Sequence, residues 1–441
     1  AVSLAPVQDD WWRLYQDPVL DGLIQSALAE NNQLESALAN LRAVRATLSE
    51  ARAGRLPATT TTGSYNYGRQ SAAGFNIPGI PSGSEPAEET ETYDVGLDVA
   101  YEVDLFGRIS STIRAAQAEA EATAAATETV RITVVAETAR AYADLCSANA
   151  QIAVAERTLD LQSQTADLTQ RLLEGGAGTG LDTARAQTAV QSTRASLPPL
   201  RSLRDGAAFR LATLTGVTPS QVPDEVRACA TPPTLVQPIP VGDGRALLAR
   251  RPDVRQAERQ LAAAAARVNV ATASLYPSIS LGGSLGSTAM DAGDLGDESA
   301  FRFSFGPLIR WSFPNIAVAR AQIARSSALS EAALADFDQT VLAALEETET
   351  ALTNYANELD RRSALTAARD QAARAARLSR LRFDAGADSF LTVLDSERTL
   401  ASTEATLAQS QAQVSTNQIL LFKALAGGWG DGSQGSEDSG R

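Results

Sequence analysis

Apolar and polar positions alternate along this chain with two different periods. From residue 93 to 105 the period is two: Tyr93, Val95, Leu97, Val99, Tyr101, Val103 and Leu105 interleave with Asp94, Gly96, Asp98, Ala100, Glu102 and Asp104. Alternation over so many residues predicts a strand longer than soluble sheets usually hold. A second clean run sets Phe301, Phe303, Phe305, Ile309, Trp311 and Phe313 against Arg302, Ser304, Gly306, Arg310 and Ser312. A shorter run precedes each: a Thr-rich stretch over 57–69 that alternates around Tyr65 and Tyr67, and 275–285, where Leu275, Ile279, Leu281 and Leu285 oppose Tyr276, Ser278, Ser280 and Ser284. Elsewhere the period is helical. The stretch from Gly107 to Glu174 contains no Pro, and at 1.5 Å per residue it predicts a helix of roughly 100 Å. Leu145, Ile152 and Leu159 recur by sevens in it, and Leu345, Leu352 and Leu359 do so in a later helix of similar length.

The order of elements occurs twice. RLLEGGAGTGLDTARAQTAV and RLRFDAGADSFLTVLDSERTL align on Gly176 and Gly386, which pairs Leu173 with Phe383, Thr179 with Ser389 and Leu181 with Leu391. Each reads as the tip of a helical hairpin: a Gly stops one helix and Thr179 or Ser389 caps the next. Upstream, Ala37, Leu41, Pro57 and Gly63 match Ala257, Leu261, Pro277 and Gly283. The expected layout is an N-terminal segment over 1–17, a helix over 18–56, a β-hairpin over 57–105 and a helical hairpin over 106–215 with its tip near 175–180. An irregular Pro-rich segment at 216–242 leads to the second copy: helix 243–274, hairpin 275–313 and helical hairpin 314–426 with its tip near 385–389. Residues 427–441 read as a disordered tail, 70–91 as an exposed loop, and Pro198-Pro199 as an interruption of the helix that ends near Leu214;.

Composition removes whole classes of function. The net charge is −14 with a single Lys, Lys423, which argues against nucleic-acid binding through a basic patch. The chain has no His, so the commonest general base and the commonest metal ligand are missing, and no catalytic or cofactor constellation is legible. No run of 18 apolar residues occurs, which excludes a transmembrane helix but not a barrel. Strands of about ten residues, apolar on one face and polar on the other, carry the signature of an outer-membrane barrel. From periodicity alone a half-buried soluble sheet fits equally well. The two very long helices leaving one end of the strands favour the barrel. Four strands cannot close, and lipid does not tolerate open edges, so closure needs several copies: two give 8 strands, three give 12.

WWRLYQDPVLDGLIQSAL, YEVDLFGRI, RRPDVRQAERQLAAA, SLYPSISL and LFKALAGGW resemble segments of the outer-membrane efflux proteins of the TolC family, in the OprM/NodT-type lipoprotein branch of drug-efflux pumps. The resemblance runs in order over about residues 9 to 430. It implies a mixed fold: a long α-helical barrel continuous with a 12-stranded outer-membrane β-barrel made by three chains, plus a small equatorial domain from the N-terminal segment, 216–242 and the C-terminal segment. It implies a homotrimer in outer-membrane lipid, working with a periplasmic adaptor and an inner-membrane pump, without enzymatic activity or cofactor. The branch is anchored by lipid on an N-terminal Cys; residue 1 here is Ala, so either that Cys lies upstream or the barrel alone holds the protein.

The resemblance also assigns roles. Leu391 and Asp395 lie four apart on one helix face, and the family's matching positions form the closed periplasmic constriction. A member with two acids there has one at the position of Thr392. The alternative is a packed Leu391 and an Asp395 favoured by a helix N-terminus. Asp384 and Asp388 would add negative potential at the mouth, or be solvated tip charges. Gly176 and Gly386 would hold special tip dihedrals and admit an adaptor hairpin. Asp94, Asp98, Glu102 and Asp104 would face the barrel lumen with Arg302 and Arg310 nearby. Helix lengths place Cys146 at the height of the equatorial segment that contains Cys229, which leaves open a disulfide or two small unpaired apolar residues. The function expected is a passive exit duct for drugs or other small molecules; the alternatives are type I protein secretion, metal-ion efflux and a non-conducting trimeric stalk.

Overall fold

The structure, a computed structural model, describes residues 2–3, 10–69, 89–235, 238–241, 248–313 and 316–425. Most of the loop expected at 70–91, the tail from Gly427, Asp9 and the start of the helix expected from 243 lie outside these residues. The elements named below are, in chain order, β1 (Val2–Ser3), α1 (Pro18–Glu30), α2 (Asn32–Ala53), β2 (Ala58–Arg69), β3 (Glu89–Val103), α3 (Arg108–Glu174), α4 (Gly180–Leu214), α5 (Asp224–Arg227), β4 (Ile239–Pro240), α6 (Pro252–Ala273), β5 (Ser278–Ala289), β6 (Phe301–Arg310), α7 (Ile316–Asp384) and α8 (Phe390–Ala424). They form two compact units: Ala1–Leu41 with Thr123–Ala257 and Phe337–Arg441, and Arg42–Ala122 with Glu258–Asp336.

The second unit holds a four-stranded antiparallel sheet in the order β2-β3-β5-β6. The expected hairpins thus lie side by side, joined through β3 and β5. Its β3 is shorter at the helix end than the alternation predicts. The strand stops at Val103, because the Asp104 carboxylate turns to accept the N–H groups of Ile109 and Ser110 at 2.8 Å each and starts α3.

The first unit is organised around Trp11, Trp12 and Tyr15. They form one 3-10 turn and pack with Leu20, Ile24, Leu145, Leu211, Ile239 and Phe422 in a single buried cluster. Trp11 stacks on Phe422 with ring centroids 4.7 Å apart. Residues 1–17 and 216–242 were expected to be irregular. Instead β1 pairs in parallel with β4, and a disulfide joins Cys146 of α3 to Cys229, their Cα atoms 4.9 Å apart. Beside it the Asn149 amide donates to the carbonyls of Arg227 and Cys229, at 2.9 and 2.7 Å. The RRPDV motif is a brace. Arg251, nearly buried, donates to the Ala424 carbonyl at the end of α8, to Asp253 and to Glu347 of α7.

Two helices differ from expectation. The helix over 18–56 breaks at Asn31, whose backbone is extended. Its side-chain oxygen accepts from Gln33 and Leu34 at 3.0 Å and its amide donates to the Leu214 carbonyl at 2.9 Å. The apolar stripe continues from Ala27 to Leu34 across this break, so periodicity cannot detect it. In contrast, α4 runs unbroken through Pro198 and Pro199. The carbonyls their missing N–H groups leave free belong to Arg194 and Ala195, both exposed, where water satisfies them.

Candidate functional site

The register of the sheet sorts its side chains onto two faces. On one lie the rows Tyr65–Tyr93, Leu97–Leu285–Phe303, Val99–Gly283–Phe305, Tyr101–Leu281 and Val103–Ile279–Ile309. Most of these residues are uncovered, Phe303 being 76% and Phe305 82% exposed. Aromatic pairs occupy both ends. Tyr65 and Tyr93 meet at 5.0 Å at one, while Trp311 stacks on Phe313 at 4.7 Å and Phe106 on Tyr276 at 4.6 Å at the other. Ten residues separate Tyr93 from Val103, and strands tilted as in membrane barrels give an apolar band roughly 25 Å tall. Exposed apolar surface of this extent is not stable in water; it matches a hydrocarbon layer bounded by two aromatic girdles.

The other face is polar, with rows Thr60–Asp98–Ser284–Ser304 and Thr62–Gly96–Gly286–Arg302. Asp94 and Arg302 meet at 2.7 Å, and Thr288 joins them, donating to Asp94 at 2.7 Å and accepting from Arg302 at 3.0 Å. Glu102 pairs with Arg108 at 2.5 Å rather than with Arg302 or Arg310. Asp104 does not share this face as expected, its carboxylate being taken up as the cap of α3. Among the described residues neither Asp98 nor Arg310 has a charged partner.

The two hairpin tips share one backbone solution. The Ala177 N–H donates to Leu172 and Gly176 to Leu173; Ala387 donates to Arg382 and Gly386 to Phe383. Gly176 and Gly386 both have φ of +73°, the left-handed residue this helix stop requires. Space is open beyond both. Thr179 caps α4 through its side chain, whereas the Ser389 hydroxyl bonds Thr392 and caps nothing. Asp388 pairs with Arg382 at 2.7 Å, so its charge is neutralised; Asp384 has no such partner among the described residues.

On α8, Leu391 is 48% exposed and Asp395, one turn on, is exposed as well. With Arg398 and with Arg185, Thr188 and Ser192 of α4 they line one groove. Neither arginine forms an ion pair with Asp395. Arg185 and Arg398 were missed in the sequence, although Arg398 lies three residues beyond Asp395 on the same helix. Also missed was Glu397, which is buried behind the groove. It accepts from Thr165 of α3 at 3.0 Å and meets Arg380 of α7 at 3.3 Å. Burial, the largest influence, pushes its carboxyl above the usual range, against Thr165 and Arg380. An acid among Ser and Arg gives no sequence signal of burial.

A sheet with an exposed apolar face between aromatic girdles, a polar reverse face and two open edges defines a barrel-forming outer-membrane protein. The comparisons name the family. Residues 23–217 and 244–427 match the outer membrane efflux protein family, and the chain belongs to it. It is 30% identical over 434 residues to a probable efflux pump outer membrane protein, TtgC, of Pseudomonas putida, covering 97% of this chain and 87% of TtgC. It is 33% identical over 432 residues to the pyoverdine export outer membrane protein OpmQ of Pseudomonas aeruginosa, covering 96% and 88%. The solved structure of the outer-membrane channel OprN superposes with a TM-score of 0.91 at 34% identity, covering 97% of this chain and 94% of that one. The protein is an outer-membrane channel of the efflux type.

Proposed function

We propose that three copies close their sheets into one 12-stranded barrel, and that the trimer is the passive exit duct of a tripartite pump. A periplasmic adaptor and an inner-membrane pump supply coupling and energy. The observation that carries this reading is the two-faced sheet with unpaired edges at β2 and β6: in lipid those edges need strands from other copies. The cargo in this reading is a drug or other small molecule, since relatives are named for antibiotic and toluene efflux and for pyoverdine export.

In the same reading Leu391 and Asp395 narrow the resting channel, one as an apolar and the other as an acidic ring. Planar-bilayer recordings test both parts. Wild type is expected to conduct weakly, and Leu391→Ala/Asp395→Ala to conduct several-fold more at rest. Equal conductance removes the gate from these residues. No conductance in either, from protein that inserts, leaves a non-conducting stalk.

A further inference from the structure

We propose that Asp98 sets the charge selectivity of the barrel lumen, and that Arg302 is kept from opposing it by a seat built for the purpose. The inference rests on the duct reading above.

The polar face carries five charged side chains from its strands: Asp94, Asp98 and Glu102 on β3, Arg302 and Arg310 on β6. Three of them are neutralised locally. Glu102 is paired with Arg108. Arg302 reaches from β6 past β5 to Asp94 on β3, across its own row neighbours Gly286 and Gly96, which have no side chains in the way. A Cβ on Gly286 would sit 3.3 Å from the Arg302 guanidinium carbon and 2.7 Å from the Val95 carbonyl oxygen. A side chain here would clash first with that carbonyl, and the guanidinium would also have to give way. Thr288 then closes the contact by bonding both partners. Two adjacent glycines in register across two strands weaken a sheet; here they leave the guanidinium room to lie across β5, 3.7 Å from a Cβ built on Gly96.

Asp98 lies in the next polar row and has no such arrangement. Its row neighbours Ser284 and Ser304 bond each other at 2.7 Å, and its carboxylate is exposed without an ion pair among the described residues. The other unpaired charge, Arg310, is six residues along β6 from Ser304 in Asp98's row. That is roughly 20 Å, beyond a Debye length of about 8 Å at physiological salt. It does not cancel Asp98 locally. Three copies of a fixed, water-facing carboxylate in a low-dielectric wall favour cations and disfavour anionic cargo.

The test is reversal potential in a KCl gradient across planar bilayers. All proteins carry Leu391→Ala/Asp395→Ala, so that the tip contributes no acidic ring. The parent is expected to prefer potassium. Asp98→Asn should lower the potassium-to-chloride permeability ratio about threefold, and Asp98→Lys should invert the preference. Asp94→Asn, which frees Arg302, should lower the ratio as well, while Asp94→Asn/Arg302→Gln should restore it. An unchanged ratio in Asp98→Asn overturns the inference while leaving the duct reading intact. A parent that inserts and does not conduct overturns the duct reading itself.

Discussion

At Glu397 the balance of burial against partners has a measurable sign. Burial outweighs the Thr165 hydrogen bond and the Arg380 ion pair, so the carboxyl titrates above the usual carboxylate range. A folded-state value above the unfolded one means the folded tip holds its proton more readily. That contribution to stability is complete below the unfolded value and is lost as pH rises through the folded one. Glu397→Gln keeps an acceptor for Thr165 and removes the titrating charge. Hydrogen exchange of the tip amides should therefore slow in wild type as the solution is acidified through this window, after correction for intrinsic rates, and should be flat in the variant. A variant that opens faster at every pH would show that the Arg380 pair dominates instead. The sequence places this acid two residues after Asp395 but says nothing of its surroundings. Its partners come from Thr165 and Arg380, which only folding brings together. The family resemblance singles out Leu391 and Asp395; their spacing of four on a helix fixes only that they share a face.

The elements repeat with a fidelity that extends to single residues. α4 and α8 are each 35 residues long and start four residues after their tip glycines; β2 and β5 are each 12 residues long. The tips differ in side chains rather than backbone: the Arg382–Asp388 pair spans one, while in the other Leu172 and Gly178 hold the matching positions. The segment after α4 depends on covalent help. With only short elements of its own, it is held to α3 by the disulfide and by Asn149. Closing a loop of 83 residues' separation stabilises by about 4.5 kcal/mol in the chain-entropy picture. Cys146→Ser/Cys229→Ser should lower the thermal midpoint, and thiol titration of denatured, unreduced wild type should find no free thiol. Two free thiols per chain would contradict the bridge. Helix breaks were the least legible feature at this scale. Asn31 ends α1 and Pro198-Pro199 do not end α4, because the outcome depends on whether a partner such as Leu214, or water, meets the freed backbone groups.

At the scale of the whole molecule, much apolar surface remains uncovered in one copy. Phe303 and Phe305 on the sheet are exposed, and on α7 Leu329 and Leu342 are 60% and 62% exposed. In the proposed trimer, lipid covers the former and other copies the latter. Native mass spectrometry from detergent should show a species of about three chain masses; a monomer that nonetheless conducts would overturn the assembly.

The sequence by itself determined the elements and their faces. Periods of 2 and 3.6 are properties of the local backbone, and a repeat of whole elements is visible wherever both copies survive, as at Gly176 and Gly386. It also put Phe303 and Arg302 on opposite sides of any strand, although alternation alone does not say whether the apolar side meets lipid or a soluble core. Only the tertiary structure decided which charges are paired. Asp98 and Asp94 look alike along β3, and Asp388 and Asp395 look alike beside the tip. One of each pair is paired with an arginine, Asp94 with the distant Arg302 and Asp388 with Arg382 across the tip, because electrostatic partners are chosen by distance in space.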